Sequence, residues 1–161
     1  MSHSRQVGVN LPLIESLLPS NEHHLRSLLS QIKQAGHHEI IILGLSFKHD
    51  TDDLRESAMV EVAQDLLGRG YQVRIYDPQI NVACLVGRNK TSIETRMPHL
   101  TSVLRQDLAE AIGTGGLVVA AQKCVPLTDL AKCLTPQHAV LDVNGWPELR
   151  TLPCAYQGFC W

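Results

Sequence analysis

Two cations, four carboxylates and a closing serine crowd into residues 44–57, Gly-Leu-Ser-Phe-Lys-His-Asp-Thr-Asp-Asp-Leu-Arg-Glu-Ser. A segment of this kind handles anions. Lys48 can reach a phosphate or a sugar hydroxyl as a mobile point charge, and the planar fork of Arg55 suits a pyrophosphate. The competing reading neutralises both cations inside the loop, Lys48 on Asp50, Asp52 or Asp53 and Arg55 on Asp52 or Asp53. For Arg55 the two readings are compatible, because a carboxylate can orient a guanidinium that still faces a ligand. Asp52 and Asp53 read as structural, since negative charge ahead of a helix is favoured by about 0.3 to 1 kcal/mol each. Thr51 can either anchor the turn or bond a water.

Position decides whether such a loop meets a ligand. Residues 40–43, Ile-Ile-Ile-Leu, form an apolar run typical of a strand buried on both faces. After the loop, Ser57 can cap a helix over 58–67, whose Val60, Ala63, Leu66 and Leu67 share one stripe before Gly68 and Gly70. The loop is therefore expected at the carboxyl end of a central parallel strand, where open α/β sheets bind ligands. Residues 72–76 read as a second strand, closed by Asp77-Pro78, which completes a βαβ unit. Farther on, 107–112 and 127–134 read as helices, and 117–121 and 139–143 as buried strands. Residues 81–96 fit one or two short helices broken near 87–89 and ended by Pro98. At the amino end, 7–19 carries two prolines and reads as a connector, followed by a helix from Ser20 to Gly36. The alternation predicts an α/β fold, a Rossmann-like open parallel sheet with helices on both faces, preceded by an N-terminal connector and helix. The expected division is 1–36 for connector and linker helix and 37–161 for the Rossmann-like domain.

Composition narrows the function classes. The 161 residues carry a net charge of −2 and no basic stripe, which argues against a nucleic-acid partner. The longest apolar run is the strand around Ile40, too short for a membrane span or a signal peptide, so a cytoplasmic, membrane-free protein is expected. Five cysteines without CxxC spacing read as reduced thiols. The pairs His23-His24 and His37-His38 suggest a metal, but helix neighbours do not share a face and no ligand set completes them, so they read as surface histidines. The only tryptophans, Trp146 and Trp161, read as packing anchors.

One expected signature is missing. After residues 40–43 only Gly44 stands where a dinucleotide-binding turn needs G-x-G-x-x-G. Asp77 occupies the place of a ribose-binding acid, and without those glycines its alternative role is to cap the turn at Pro78. A ligand here must be held by side chains instead of a glycine cradle.

The G-L-S-F-K-x-x-T-D-D-x-R-x-S segment, with Tyr76-Asp77-Pro78 and the terminal Gly158-Phe159-Cys160-Trp161, resembles the C-terminal, nucleotide-sugar-binding domain of the UDP-glucose and GDP-mannose dehydrogenase family. Asn89-Lys90, Ile93-Glu94, Met97-Pro98-His99 and the closing Cys-Trp are similar to the GDP-mannose 6-dehydrogenase branch. The resemblance runs from about Leu13 to Trp161 and is weakest over 113–137. It implies part of an NAD-dependent enzyme that oxidises the C6 alcohol of a nucleotide-linked hexose to a carboxylate, through a cysteine nucleophile, in making polysaccharide precursors. It further implies that Phe47 and Lys48 contact the sugar nucleotide and that Arg55 reaches NAD⁺ held by another domain. The implied partners are the nucleotide sugar, the NAD-binding and central-helix domains, and further copies in a homo-oligomer. The family nucleophile sits in a G-G-S-C-L-P-K-D context that none of the five cysteines shares. Cys124-Val125-Pro126-Leu127 is a partial echo without a neighbouring base or cation, and reads as coincidence. The chain alone is accordingly expected to be inert, either as a fragment or as a reduced relative. The alternatives are the corresponding domain of a UDP-glucose 6-dehydrogenase and a stand-alone, non-catalytic binding module.

Overall fold

Ile40, Ile41, Ile42 and Leu43 are completely buried and make up most of strand β1 (Glu39–Leu43). Their side chains alternate between two cores, Ile40 and Ile42 in one and Ile41 and Leu43 in the other, as the pleat requires of a strand covered on both faces. The computed structural model describes residues 11–46, 53–55, 57–80 and 98–159. The sequence reading of 81–96 lies outside these residues, as do Phe47, Lys48, Thr51, Asp52 and Trp161.

Strands β2 (Gln72–Tyr76), β3 (Leu104–Arg105), β4 (Gly116–Ala120), β5 (His138–Asp142) and β6 (Ala155–Gly158) join β1 in one sheet of order β3-β2-β1-β4-β5-β6. Every neighbouring pair is parallel, with Ile40 opposite Val73 on one side and Leu117 on the other. The chain winds outward from β1 to β3 and then returns to place β4 on the other side of β1. This reversal is the topological switch point of a doubly wound sheet, and a crevice opens there at the carboxyl ends of the strands.

Helices cover both faces. α1 (Pro12–Gln34), α2 (Ala58–Gly68) and α3 (Leu100–Val103) supply Leu28, Ile32, Val62, Leu66 and Leu100 to the first core. α4 (Leu108–Ile112) and α5 (Leu127–Cys133) supply Ile112 and Leu130 to the second, together with Trp146 and Leu149 from a 3₁₀ turn (Pro147–Thr151) and its N-cap.

Three local expectations need correction. The first helix begins at Pro12, not Ser20. Pro12 takes the first helical position, where the missing N–H costs nothing, while Pro19 lies inside and leaves the Glu15 carbonyl without its usual main-chain donor. The carboxyl half, anchored through Leu28 and Ile32, docks the helix, whereas Leu13, Ile14, Leu17 and Leu18 in its first turns are exposed. Ser57 stands at the N-cap of α2 in extended backbone, yet its hydroxyl makes no cap bond and donates instead to the Leu45 carbonyl at 2.6 Å. Finally β3, the 3₁₀ turn and β6 have no counterpart in the sequence reading. β3 is two residues long, and Ala-Tyr-Gln-Gly in β6 alternates between exposed and half-buried, too weak a pattern to read.

Candidate functional site

The switch-point crevice has a volume of about 910 Å³, within the usual range for small-molecule sites. Apolar lining comes from Leu25 and Leu28 of α1, Met59 of α2 and Phe159 beyond β6, beside the polar Asn21, Glu22 and His24 of α1 and Glu61 of α2. The strand ends supply a polar wall of Ser46 after β1, Gln122 and Lys123 after β4, and Asn144 after β5. Three strand ends therefore contribute one polar segment each.

Main-chain bonds continue beyond the ladder and hold these segments in register. The amides of Ala121 and Gln122 both donate to the Leu43 carbonyl at 3.0 Å, and Val143 donates to the Ala120 carbonyl at 3.0 Å. Gly44 has a φ of 86°, a left-handed conformation that favours glycine, and a Cβ there would lie 2.5 Å from the Gln122 Cβ. The absence of a side chain at Gly44 thus lets Gln122 lie across the β1 loop. Gln122 Nε2 donates to the Ser46 carbonyl and, at 3.2 Å, to the Ser46 hydroxyl. Asn144 Nδ2 similarly donates to the Ala121 carbonyl at 2.9 Å.

Two buried carboxylates support the polar wall; sequence reasoning weighed a turn-capping role for Asp77 and did not single out Asp142. Asp77, at the end of β2, accepts the Leu45 and Ser46 amides on Oδ2 at 2.9 and 3.0 Å and the Gln79 amide on Oδ1 at 3.1 Å. With only 3% of its surface exposed it fastens the loop after β1, so of the two roles considered for it the structural one holds. Asp142, at the end of β5 and fully buried, accepts the Asn144 and Gly145 amides on Oδ1 at 3.1 and 3.0 Å. Its Oδ2 takes the Trp146 amide at 2.7 Å and the Tyr156 hydroxyl at 2.9 Å. The available signal for both was an aspartate ending an apolar strand, a position that fits a loop organiser as well as a ligand contact.

Of the three residues singled out from the sequence, Phe47 and Lys48 lie outside the described residues. Arg55 is half exposed and its Nε and Nη2 donate to both oxygens of Asp53, at 2.9 and 2.7 Å. This clasp, first by hydrogen bonding and then by charge, raises the guanidinium pKa further above its ordinary value. Nη1 has no partner among the described residues, so the arginine is oriented without being used up. The one cation in the described crevice wall is Lys123, whose ammonium lies 6.0 Å from the Trp146 ring centroid and makes no ion pair among the described residues.

The setting of Cys124 opposes formation of a thiolate. Burial, reinforced by the charge of Asp77, pushes its thiol up to about 12, and its Sγ faces the Tyr76 carbonyl at 3.9 Å. Of the paired histidines, His23, His24 and His38 are exposed and His37 is half-buried; His38 stacks on Tyr71, and His24 meets Phe159 edge to face. Among the described residues no group of three potential ligands could hold a metal ion, and no helix is long and apolar enough to cross a membrane.

Comparison with known proteins agrees with this geometry. The family model for the UDP-glucose/GDP-mannose dehydrogenase family, UDP binding domain, matches residues 41–157. A GDP-mannose 6-dehydrogenase of Pseudomonas putida is 36% identical over 156 residues, covering 96% of this chain and 36% of that protein. UDP-glucose 6-dehydrogenase 4 of Arabidopsis thaliana is 27% identical over 128 residues, covering 79% of this chain and 24% of that protein. Among solved structures, a ternary complex of GDP-mannose dehydrogenase from Pseudomonas aeruginosa superposes with a TM-score of 0.82 at 33% identity, covering 98% of this chain and 36% of that one. The chain thus spans about a third of the length of the curated relatives it matches.

Proposed function

Because the chain belongs to the UDP-glucose/GDP-mannose dehydrogenase family and matches its UDP binding domain, we propose that it is the nucleotide-sugar-binding part of an NAD-dependent GDP-mannose 6-dehydrogenase. The observation that carries this reading is the crevice at the switch point, where apolar side chains and three polar strand ends line a volume fit for a nucleotide. In this role the apolar side chains of the crevice take the base, and Lys123 and Lys48 offer positive charge to the phosphates. Phe47 and Lys48 contact the sugar nucleotide as it enters from the β1 loop.

NAD⁺ supplies the hydride acceptor of the reaction. This chain fits one contact to it and no more. The β1 turn has no glycine cradle for a pyrophosphate, whereas Arg55, oriented by Asp53 and with Nη1 unpaired among the described residues, can meet a phosphate from across a domain cleft. The bulk of the NAD⁺ site and the nucleophilic cysteine belong, in this reading, to the preceding domains of the full enzyme, a soluble cytoplasmic homo-oligomer that makes polysaccharide precursors. The division into 1–36 and 37–161 is part of the same proposal.

Calorimetric titration of the chain with GDP-mannose and with UDP-glucose tests it. Saturable binding of GDP-mannose without any production of NADH is the expected result. Failure to bind either nucleotide sugar, or steady NADH formation by the chain alone, overturns the reading.

A further inference from the structure

The two amide side chains of the polar wall have the same bonding state. Gln122 Nε2 is held by the Ser46 carbonyl and Asn144 Nδ2 by the Ala121 carbonyl. A main-chain carbonyl only accepts, so the network fixes which end of each amide is nitrogen and leaves the oxygen as the end each can offer. Neither Gln122 Oε1 nor Asn144 Oδ1 receives a hydrogen bond from a described residue, and both side chains line the crevice. Ser57, on the same crevice, has also spent its hydroxyl hydrogen, on the Leu45 carbonyl. A wall of this kind asks its ligand for donors.

We propose that Gln122 and Asn144 read the nucleobase, and that their two oxygens select a guanine by its N1–H and its exocyclic amine. The proposal rests on the nucleotide-binding reading given above. Guanine is the common base that presents two donor groups side by side on its pairing edge, with the O6 acceptor beyond them. Uracil presents one N–H between two carbonyls, so a second acceptor on the wall would face a carbonyl lone pair. Adenine places the ring acceptor N1 beside its amine, with the same mismatch. Discrimination of this kind is strong because the wrong base leaves polar groups of the site unpaired once water is displaced. Phe159 and Met59, which also line the crevice, offer the ring an apolar face.

Titrating the chain with GDP, IDP and UDP tests the inference, since IDP differs from GDP only in lacking the exocyclic amine. GDP is expected to bind roughly three- to tenfold tighter than IDP, the effect of one hydrogen bond, with UDP weaker still. Asn144→Ala is expected to narrow the preference for GDP over UDP by a similar factor. Should that variant fail to fold, the three ligands on the unaltered chain still decide. Equal affinity for GDP and IDP, or tighter binding of UDP, overturns base reading by these amides while leaving the crevice as a nucleotide site. Absence of binding by all three overturns the inference together with the reading on which it rests.

Discussion

Asp77 and Asp142 end strands on opposite sides of β1, both are buried, and both spend their carboxylates on main-chain amides, yet they do different work. Asp142 folds the loop that follows its own strand, taking three amides within four residues and adding the Tyr156 hydroxyl of β6. Asp77 uses one oxygen on its own turn and reaches with the other to Leu45 and Ser46, which lie 32 and 31 residues earlier. The first carboxylate closes a local structure and joins the edge strand to the sheet. The second carries the position of β2 into the loop that borders the crevice. Similar chemistry at equivalent strand ends thus folds one local loop of the polar wall in the first case and ties two distant segments together in the second.

That division can be broken by substitution. Asp142→Ala strands four donors in a buried setting and is expected to destabilise the chain by about 3 to 5 kcal/mol, read from urea denaturation. Asp77→Ala is expected to lower stability by about 2 to 3 kcal/mol and, beyond that, to weaken nucleotide-sugar binding in the fraction that remains folded, because the β1 loop loses the two amide anchors that Asp77 provides. If Asp142→Ala impaired binding by folded chain more than Asp77→Ala did, the contrast would be reversed. Tyr156→Phe removes only the side-chain donor to Asp142 and should cost about 1 kcal/mol, with no change in affinity at the crevice. A comparable loss of affinity would show that β6 also governs the site.

A smaller effect reports on Asp77 through its neighbour. The Cys124 thiol is raised from 9.0 to about 12, chiefly by burial and secondarily by the Asp77 charge. A raised thiol pKa adds stability that is fully present below the unfolded value and is lost as pH climbs from about 9 toward 12, where the unfolded chain ionises first. Asp77→Asn should therefore lower the native thiol pKa without restoring it to 9.0, a shift measurable by the pH dependence of alkylation. No change would mean that burial alone sets it.

The parallel sheet was legible because Ile40, Val118, Val140 and their neighbours are apolar runs separated by helical periodicity and turn residues, and such local patterns survive without tertiary information. The start of α1 was not, because Pro19 locally opposes a helix that its docked carboxyl half sustains, and two prolines in one segment read as a connector. At the site, Arg55 drew attention by its own charge and its Asp53 partner was among those considered. Gln122 and Asn144 did not, since an amide has no charge and no motif. What makes them informative is contact with carbonyls 76 and 23 residues away. Ser57 shows the converse, a residue placed correctly at a helix start whose hydroxyl is claimed by a loop the local sequence cannot reveal.

The tie between Gln122 and Ser46 also has a kinetic meaning. Because it joins segments 76 residues apart and needs Gly44 already turned beneath it, the polar wall cannot exist until β4 has docked beside β1. Closing so long a loop belongs to the slow, nonlocal part of folding for a parallel sheet. A nucleotide that recognises this wall has nothing to grip on a partly folded chain. Its binding would shift the folding equilibrium in proportion to its concentration and leave the early steps untouched, so occupancy of the crevice would act as a quality check on the completed fold.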